Sequence, residues 1–327
     1  MSCFCFLLAS PCPPPHPSSA SAVLSIVGNL LVLIMAFKRS SSMKPPELLS
    51  VNLAVTDLGA AVTMYPLAMA SAWSHHWLGG DATCVYYGLV GFFFGVASIM
   101  NLTVMAIVRL FQGEPPRNTP ICRKPKVKLL CLWTWMYALL WALFPILGWG
   151  RYGPEPFGLS CSLAWGDMKD EGFSFVISMF SFNLLMPSVI IICCYFGIAI
   201  KLYCTYKKSI TNSKQVPNII AVLISVGFIG CWAPYGLVSL WSIYHDSSTF
   251  PPEVSLLPCM FAKSSTVYNP LIYYIFSKSF KREVRQLGWL CRGSNACHAS
   301  NSINDNGIYM VTLETKSQVA RSTFQKE

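Results

Sequence analysis

Seven long apolar segments constrain this chain more than any other feature of its sequence. An α-helix needs about 20 residues to cross the roughly 30 Å of hydrocarbon in a bilayer, and each segment approaches or exceeds that length. Charged residues make up only 12% of the 327 residues, whereas soluble domains carry about 25%. The sequence therefore predicts an all-α membrane protein with a seven-transmembrane helix bundle. The predicted spans are Ala20–Phe37, Leu48–Ala72, Cys84–Leu110, Leu129–Trp149, Phe173–Leu202, Val216–Tyr244 and Val254–Phe276.

Basic residues occupy alternate gaps between these segments. Lysine and arginine cluster after the first, third and fifth segments, as in Lys38, Arg39 and Lys44, whereas residues 73–81 and 245–253 contain none. Because cationic loops stay in the cytoplasm, we expect an extracellular N-terminus, a cytoplasmic C-terminus and a place in the plasma membrane. The chain has 24 Lys+Arg against 14 Asp+Glu, and these loops explain the excess of positive charge. We therefore expect membrane lipid as a partner and no nucleic acid.

The regions outside the bundle divide into three expected parts. Residues 1–19 form a proline-rich extracellular N-terminus that is either genuine or a gene-model artefact, and the proline-rich second inner loop (113–125) is open to the same two interpretations. Residues 277–291 alternate apolar and basic side chains, which predicts a short amphipathic eighth helix on the membrane surface. Cys291 at its end is a candidate for palmitoylation or an ordinary free thiol. Residues 292–327 are polar and predict a disordered cytoplasmic tail.

Lys263 is the residue that points most directly to a function. Nine residues of the last segment precede it, about 14 Å of helix, so it is expected near the middle of the bilayer. An ammonium group there costs on the order of 2.5–3.5 kcal/mol, and an ionisable residue within a membrane is a functional hypothesis by default. The alternative is a lysine paired with a carboxylate for packing. A desolvated lysine loses its proton readily and is nucleophilic, which suits imine formation with an aldehyde.

The chain resembles the rhodopsin-like G-protein-coupled receptors through motifs that occur in the expected order between about residues 24 and 290. They are Asn29 in GNLLV, Asp57 in NLAVTD, Arg109, Trp135, Pro145, Pro187, Tyr195, Phe228, CWAPY at Cys231–Tyr235 and NPLIY at Asn269–Tyr273. Lys263 lies six residues before Asn269, which is the spacing at which opsins attach retinal as a Schiff base. Within the opsins, the stretches GFFFG, PEPFG and MKPPELLSVNLAVTDLG are most similar to the neuropsin group.

This resemblance implies a disulfide and a counterion. Cys84 and Cys161 match the cysteines that tie the third helix to the second outer loop. Opsins place the carboxylate that balances the Schiff base at one of two positions, and here the first holds the neutral Tyr87 and the second holds Glu155. Glu155 is therefore the expected counterion, the alternative being a solvated loop glutamate. A counterion in the loop goes with bistable pigments in this family.

The resemblance also implies a retinal pocket and an activation switch. The pocket residues, each of which is also open to interpretation as plain packing, are Tyr87, Gly91, Gly95, Trp232 and Tyr235. The switch residues are Asp57, which related receptors link to Asn29 and Asn269, together with Arg109, Tyr195, Asn269, Pro270 and Tyr273.

One departure from the family pattern leaves the output of the protein open. The acidic–Arg–aromatic triplet at the inner end of the third helix reads Val108-Arg109-Leu110. In the family the missing acid restrains the arginine in the dark, so its loss is expected to raise basal activity or to abolish coupling.

The first hypothesis is a light-sensing opsin that binds retinal, in the 11-cis or all-trans form, and activates a heterotrimeric G protein of the inhibitory type. Arrestin and a receptor kinase are expected as further partners, and no enzymatic activity or metal is expected. The second hypothesis is a retinal photoisomerase on the same fold. A receptor for a diffusible ligand with Lys263 as its anionic contact, and a non-signalling isoform, are the remaining alternatives.

Overall fold

The computed structural model describes residues 16–39, 43–74, 76–112, 120–155, 160–168, 172–206, 216–244, 252–278 and 280–286. For a few helical positions it describes the backbone alone. Those positions are 16–20, 72, 120, 166, 202–206, 216–217, 242, 244, 252–257, 259–260 and 263. The N-terminal residues 1–15, most of the second inner loop and the expected tail lie outside the described residues.

Long helices make up nearly all of the described chain. They are α1 (His16–Lys38), α2 (Pro45–Ser74), α3 (Asp81–Phe111), α4 (Lys124–Leu143), α5 (Phe173–Phe180), α6 (Met186–Tyr206), α7 (Val216–Tyr244) and α8 (Pro252–Phe276). A π-helical turn at Ser181–Leu185 joins α5 and α6, so these two helices form one membrane-crossing element. Short 3₁₀ helices lie at Pro120–Cys122 and Trp165–Met168.

Six of the described segments are long and apolar enough to cross a membrane. They are Ser21–Lys38, Pro45–Ser71, Asp81–Phe111, Lys124–Leu143, Phe173–Lys201 and Asn218–Trp241. Helix α8 has 25 residues, about 37 Å at ~1.5 Å per residue, which also exceeds the hydrocarbon thickness. Together they form the predicted bundle.

The fourth span differs from its predicted bounds. Helix α4 begins at Lys124 and ends at Leu143, before the turn at residues 144–148, whereas the predicted span ran on to Trp149. Pro145 cannot donate a backbone hydrogen bond to a helix, and Gly148 and Gly150 have φ values of 94° and 98°, which favour glycine. The apolar character of the predicted span therefore continues beyond its helix.

Helix α3 lies at the centre of the bundle. It contacts α2, α4, α6 and α7 as well as a two-stranded hairpin. Its last turn carries Arg109 and its first turn carries Cys84, so the two ends of this helix mark the two ends of the bundle.

The hairpin consists of β1 (Tyr152–Pro154) and β2 (Cys161–Leu163), which pair antiparallel. A disulfide joins Cys84 to Cys161 with a Cα–Cα distance of 5.3 Å, which confirms the predicted bridge. Tyr152 fixes the hairpin further, because its hydroxyl donates to the Ala142 carbonyl at 2.8 Å. Burial raises the pKa of Tyr152, so the hydroxyl remains a neutral donor.

The chain divides into two compact units, Met1–Arg282 and Glu283–Glu327. At the end of the first unit the chain turns after α8, where the Lys281 N–H donates to the Ser277 carbonyl at 3.0 Å and the Phe280 ring lies 6.2 Å from that of Tyr273. Residues 280–286 are helical, within the predicted eighth helix. Of the second unit only residues 283–286 are described, so Cys291 and the expected tail lie outside the described residues.

Candidate binding cavity

A cavity of about 180 Å³ lies inside the bundle between α2, α3, α5, α7, α8 and the hairpin. Its walls are mostly apolar and aromatic. The residues predicted for the pocket all line it: Tyr87, Gly91, Gly95, Trp232 and Tyr235. Glu155, the predicted counterion, lines the same cavity. The structure thus brings together residues that are up to 148 positions apart in the sequence (235 − 87).

Two glycines of α3 leave the space that the cavity uses. A Cβ atom added at Gly95 would lie 3.2 Å from Cη2 of Trp232, and one at Gly91 would lie 2.8 Å from Cε of Met64. The backbone of α3 can therefore approach Trp232 closely, and the space between them is narrow. Tyr87, which is 1% exposed, packs edge-on against Trp77 at 5.2 Å between ring centroids and borders the cavity near the disulfide.

Glu155 accepts a hydrogen bond from Tyr235, which in turn accepts one from Trp165. The Tyr235 hydroxyl donates to Oε1 of Glu155 at 3.3 Å, and the indole N–H of Trp165 donates to the Tyr235 hydroxyl at 3.4 Å. The Glu155 backbone N–H also donates to the Ser160 carbonyl at 2.8 Å across the hairpin loop. A carboxylate that comes from a loop is thereby fixed at the wall of the cavity by a residue of α7.

Trp232 lies at the centre of the aromatic wall. Its ring stacks on Phe228 with centroids 5.6 Å apart and meets Tyr235 edge-on at 6.1 Å. Its indole N–H donates to Oγ of Ser265 at 3.3 Å. Trp232 therefore lies between α3, which it meets at Gly95, and α8, which it meets at Ser265.

Lys263 lies within α8, and only its backbone is described. Its neighbours in the helix, Ala262, Ser265 and Thr266, all line the cavity. The structure does not describe its side chain, so the predicted retinal linkage stays a prediction. The structure does place the residue on the helix segment that forms one wall of the cavity.

Helix α8 is anchored beside this segment by a small polar network. The hydroxyls of Tyr65 and Thr266 share a hydrogen bond of 2.6 Å, and Oγ of Ser25 donates to Oγ1 of Thr266 at 2.9 Å. Nδ2 of Asn29 donates to the Thr266 carbonyl at 3.0 Å. These contacts tie α1 and α2 to α8 three residues after Lys263.

Of the predicted switch residues, Asp57 lines the cavity, whereas the others lie outside its lining. Nδ2 of Asn269 donates to Oδ2 of Asp57 at 2.6 Å, and Asp57 is 3% exposed. Asn29 joins α8 through the Thr266 carbonyl, while Pro270 packs against Gly28, where an added Cβ would lie 2.7 Å from the proline Cβ.

Arg109 marks the opposite end of α3 from the disulfide. It is 8% exposed, and the side chains of Tyr195 and Tyr273 lie close enough to interact with it electrostatically. The Tyr195 hydroxyl also shares a hydrogen bond of 3.2 Å with Ser225 of α7. The three predicted switch residues of this end therefore lie together.

The sequence did not single out Trp165, Tyr65 or Asn183, all of which line the cavity. Trp165 lies four residues after the second hairpin cysteine, and no spacing rule ties it to Tyr235. Asn183 carried a signal that could have found it, because it is an amide within a predicted membrane span.

The arrangement suits an elongated apolar ligand with one positive charge near Glu155. Among the residues that the structure describes, no group of three or more His, Cys, Asp or Glu side chains is placed to bind a metal ion. The chemistry available at this cavity is therefore that of a hydrophobic slot, a fixed carboxylate and the α8 segment that carries Lys263.

Comparisons with known proteins agree with this geometry. Residues 28–273 match the family model described as 7 transmembrane receptor (rhodopsin family). The chain is 34% identical to Opsin-5 of Mus musculus over 90% of this chain and 79% of that protein. It is 32% identical to the visual pigment-like receptor peropsin of Homo sapiens over 80% of each chain. The crystal structure of squid rhodopsin superposes with a TM-score of 0.73 and 26% identity, covering 84% of both chains.

Proposed function

The chain belongs to the rhodopsin family of seven-transmembrane receptors, as an opsin similar to neuropsins, and from that premise we propose that it senses light by holding retinal on Lys263. One observation carries the proposal. The cavity is bordered on one side by the α8 segment around Lys263 and on another by the carboxylate of Glu155. A buried cationic linkage needs such a negative partner.

The residues of the cavity fit a flat, apolar chromophore. Gly91 and Gly95 leave a narrow slot against Met64 and Trp232 that side chains larger than glycine would fill. When bound, retinal supplies the absorption of light and a change of shape. Lys263 supplies the amine that condenses with its aldehyde, with loss of one water molecule.

Glu155 stabilises the positive charge on Lys263 in this proposal. Tyr235 donates to the carboxylate and Trp165 donates to Tyr235, and these two hydrogen bonds keep the side chain directed along the cavity wall. Because Glu155 comes from the loop, as in the bistable members of the family, we expect the photoproduct to persist and to be reverted by a second photon.

Trp232 passes the change of shape to the inner face. It lies between Gly95 of α3 and Ser265 of α8, and two residues before Pro234 in α7. Movement of Trp232 swings α7 about the proline, and Arg109, Tyr195 and Tyr273 stabilise the open inner end. A heterotrimeric G protein of the inhibitory type binds there, with arrestin and a receptor kinase as later partners.

The proposed placement in the membrane rests on the alternation of basic loops between the apolar spans. The N-terminus lies outside the cell and the C-terminus lies inside, in the plasma membrane. We propose that residues 277–291 lie on the inner leaflet, with Cys291 as a candidate for palmitoylation, and that residues 292–327 are the cytoplasmic tail.

Substitution of the lysine tests the retinal linkage. The protein is expressed, incubated with 11-cis-retinal in the dark, and reduced with borohydride, and the adduct is located by peptide mass spectrometry. We expect an absorption band and a retinyl adduct at position 263, both lost in Lys263→Ala. Lys278→Ala, which changes an exposed lysine outside the cavity, should retain both. A pigment band in Lys263→Ala would remove the proposed linkage.

A photoisomerase on the same fold is the second candidate. The observation that favours it is the triplet Val108-Arg109-Leu110, which lacks the acid beside the arginine. Light-driven nucleotide exchange on a purified inhibitory G protein, measured beside light-driven release of isomerised retinal, separates the two. Exchange without release supports the receptor, and release without exchange supports the isomerase.

A further inference from the structure

Asn183 is a polar residue in an apolar part of the cavity wall. It lies in the π-helical turn Ser181–Leu185 between α5 and α6, is 6% exposed, and lines the cavity with Met179, Phe180 and Leu184. π-helical turns are rare and occur frequently at functional sites. The extra residue of this turn changes the direction in which the following positions face.

The amide of Asn183 has unused hydrogen-bonding capacity. Neither its Oδ1 nor its Nδ2 has a hydrogen-bond partner among the residues that the structure describes. By contrast, the buried Asn101 accepts from Asn52 at 3.0 Å and donates to the Leu49 carbonyl at 2.9 Å. A buried amide without partners is destabilising, so its presence at a cavity calls for a ligand group that satisfies it.

The position of Asn183 identifies which end of a ligand it meets. Helix α8, which carries Lys263, packs chiefly against α1, α2 and α7, whereas the π-helical turn packs chiefly against α3, α5 and α6, and its Leu184 lies beside Gly236 of α7. A ligand anchored on α8 that runs past Gly95 therefore ends at the wall that contains Asn183. In retinal that end is the hydrocarbon ring, which has no atom to satisfy an amide.

We propose that Asn183 hydrogen-bonds an oxygen on the ring end of the chromophore, so that the cavity selects a ring-oxygenated retinal, with a hydroxyl or ketone on the ring, over unsubstituted retinal. This inference rests on the proposed function. A hydroxyl matches the site because it donates to Oδ1 or accepts from Nδ2, and a ketone matches Nδ2 alone. Sites built to bond a hydroxyl discriminate against ligands that lack one.

A competition experiment tests the selectivity directly. The full-length protein is incubated in the dark with equal amounts of retinal and 3-hydroxyretinal, and the bound aldehydes are extracted and quantified by chromatography. One neutral hydrogen bond corresponds to about a fivefold preference. We therefore expect the unchanged protein to bind about five molecules of 3-hydroxyretinal for each molecule of retinal. In Asn183→Leu this ratio should fall to about one.

Leu185→Met is the matched control, because Leu185 lies in the same π-helical turn but is 64% exposed and does not line the cavity, and this variant should keep the preference. Equal uptake of the two aldehydes by the unchanged protein overturns the inference, even if Asn183→Leu fails to fold. The same ratio in Asn183→Leu and the unchanged protein also overturns it. Uptake of neither aldehyde overturns the proposed function itself, an outcome distinct from uptake without preference.

Discussion

At the scale of single residues, the proposal depends on a carboxylate whose direction is set by its neighbours. Oε1 of Glu155 accepts from Tyr235, which itself accepts from Trp165. A negative charge fixed at the cavity wall favours the protonated form of a nearby nitrogen. The colour of the pigment is therefore expected to depend on Glu155.

Glu155→Gln removes the charge and keeps the shape of the side chain. With its counterion lost, the linkage on Lys263 should release its proton at a pH lower by at least about one unit. A pH titration followed by absorbance measures this, as the conversion of the visible band to one in the near ultraviolet. The linkage on Lys263 is protonated and charged at low pH, and it loses its proton as the pH rises.

Asp167→Asn is the control for this titration. Asp167 is an exposed carboxylate on the 3₁₀ helix that carries Trp165. Its substitution therefore removes the same charge from the same loop without changing a residue of the cavity. An unchanged titration in Glu155→Gln, or an equal change in both variants, would assign the counterion elsewhere.

The role of a residue was predictable from the sequence where its type is unusual for its position in a membrane protein. It was not predictable where the role comes from a contact made in the folded structure. A lysine in hydrocarbon stands out, and so does a cysteine in an outer loop. Trp165 and Tyr65 are ordinary aromatic residues in the sequence. Their roles arise because Trp165 meets Tyr235 and Tyr65 meets Thr266, over separations of 70 and 201 residues.

At the scale of elements, the hairpin depends on close contact with α3. A Cβ atom at Gly88 would lie 2.9 Å from Cδ1 of Tyr152 and 3.0 Å from the Ser162 carbonyl oxygen. The second contact is with backbone, which cannot rotate away. The hairpin that carries Glu155 is therefore seated on α3 only because residue 88 has no side chain.

Gly88→Ala is expected to displace the hairpin and to destabilise the protein by about 1–3 kcal/mol, the usual cost of overpacking. The pigment should form with lower yield, because Glu155 moves with the hairpin. Thermal unfolding of the purified protein and the yield of pigment measure the two effects.

Gly227→Ala is the matched control on α7, where an added Cβ meets nothing within 4 Å. It should leave the pigment unchanged and stabilise the helix slightly, since alanine has the higher helix propensity. Equal melting temperatures for the two variants would show that the hairpin tolerates the extra atom.

The bounds of the helices were predictable from the sequence where an apolar segment and a helix cover the same residues. They do not coincide after Leu143, where the chain remains apolar but Pro145 and Gly148 form a turn. The π-helical turn at Ser181–Leu185 was also not predicted. A single extra residue per turn leaves the apolar composition of a membrane span unchanged, so composition carries no signal for it.

At the scale of the whole molecule, the proposed opening by light needs contacts that hold the inner end closed in the dark, although the acid beside Arg109 is missing. Nζ of Lys201 in α6 donates to the Leu110 carbonyl at 3.0 Å, and Sγ of Cys122 donates to the Val108 carbonyl at 3.6 Å. Both acceptors are among the last carbonyls of α3, which have no partner within the helix. A cation there also interacts favourably with the helix dipole.

Lys201→Met should therefore shift the balance between closed and open inner ends. The contact joins α3 to α6 and is available only while these ends remain together, so its loss favours the open form. Because the lysine is exposed, the effect is small, and we expect dark nucleotide exchange on the G protein to rise by about two- to fivefold. Exchange in saturating light should not change, since the open form is then already dominant. Lys128→Met removes an exposed charge at the start of α4 and should leave the dark rate unaltered. If Lys201→Met behaves like Lys128→Met, the closed state does not depend on this contact, and the restraint must come from the buried surroundings of Arg109 itself.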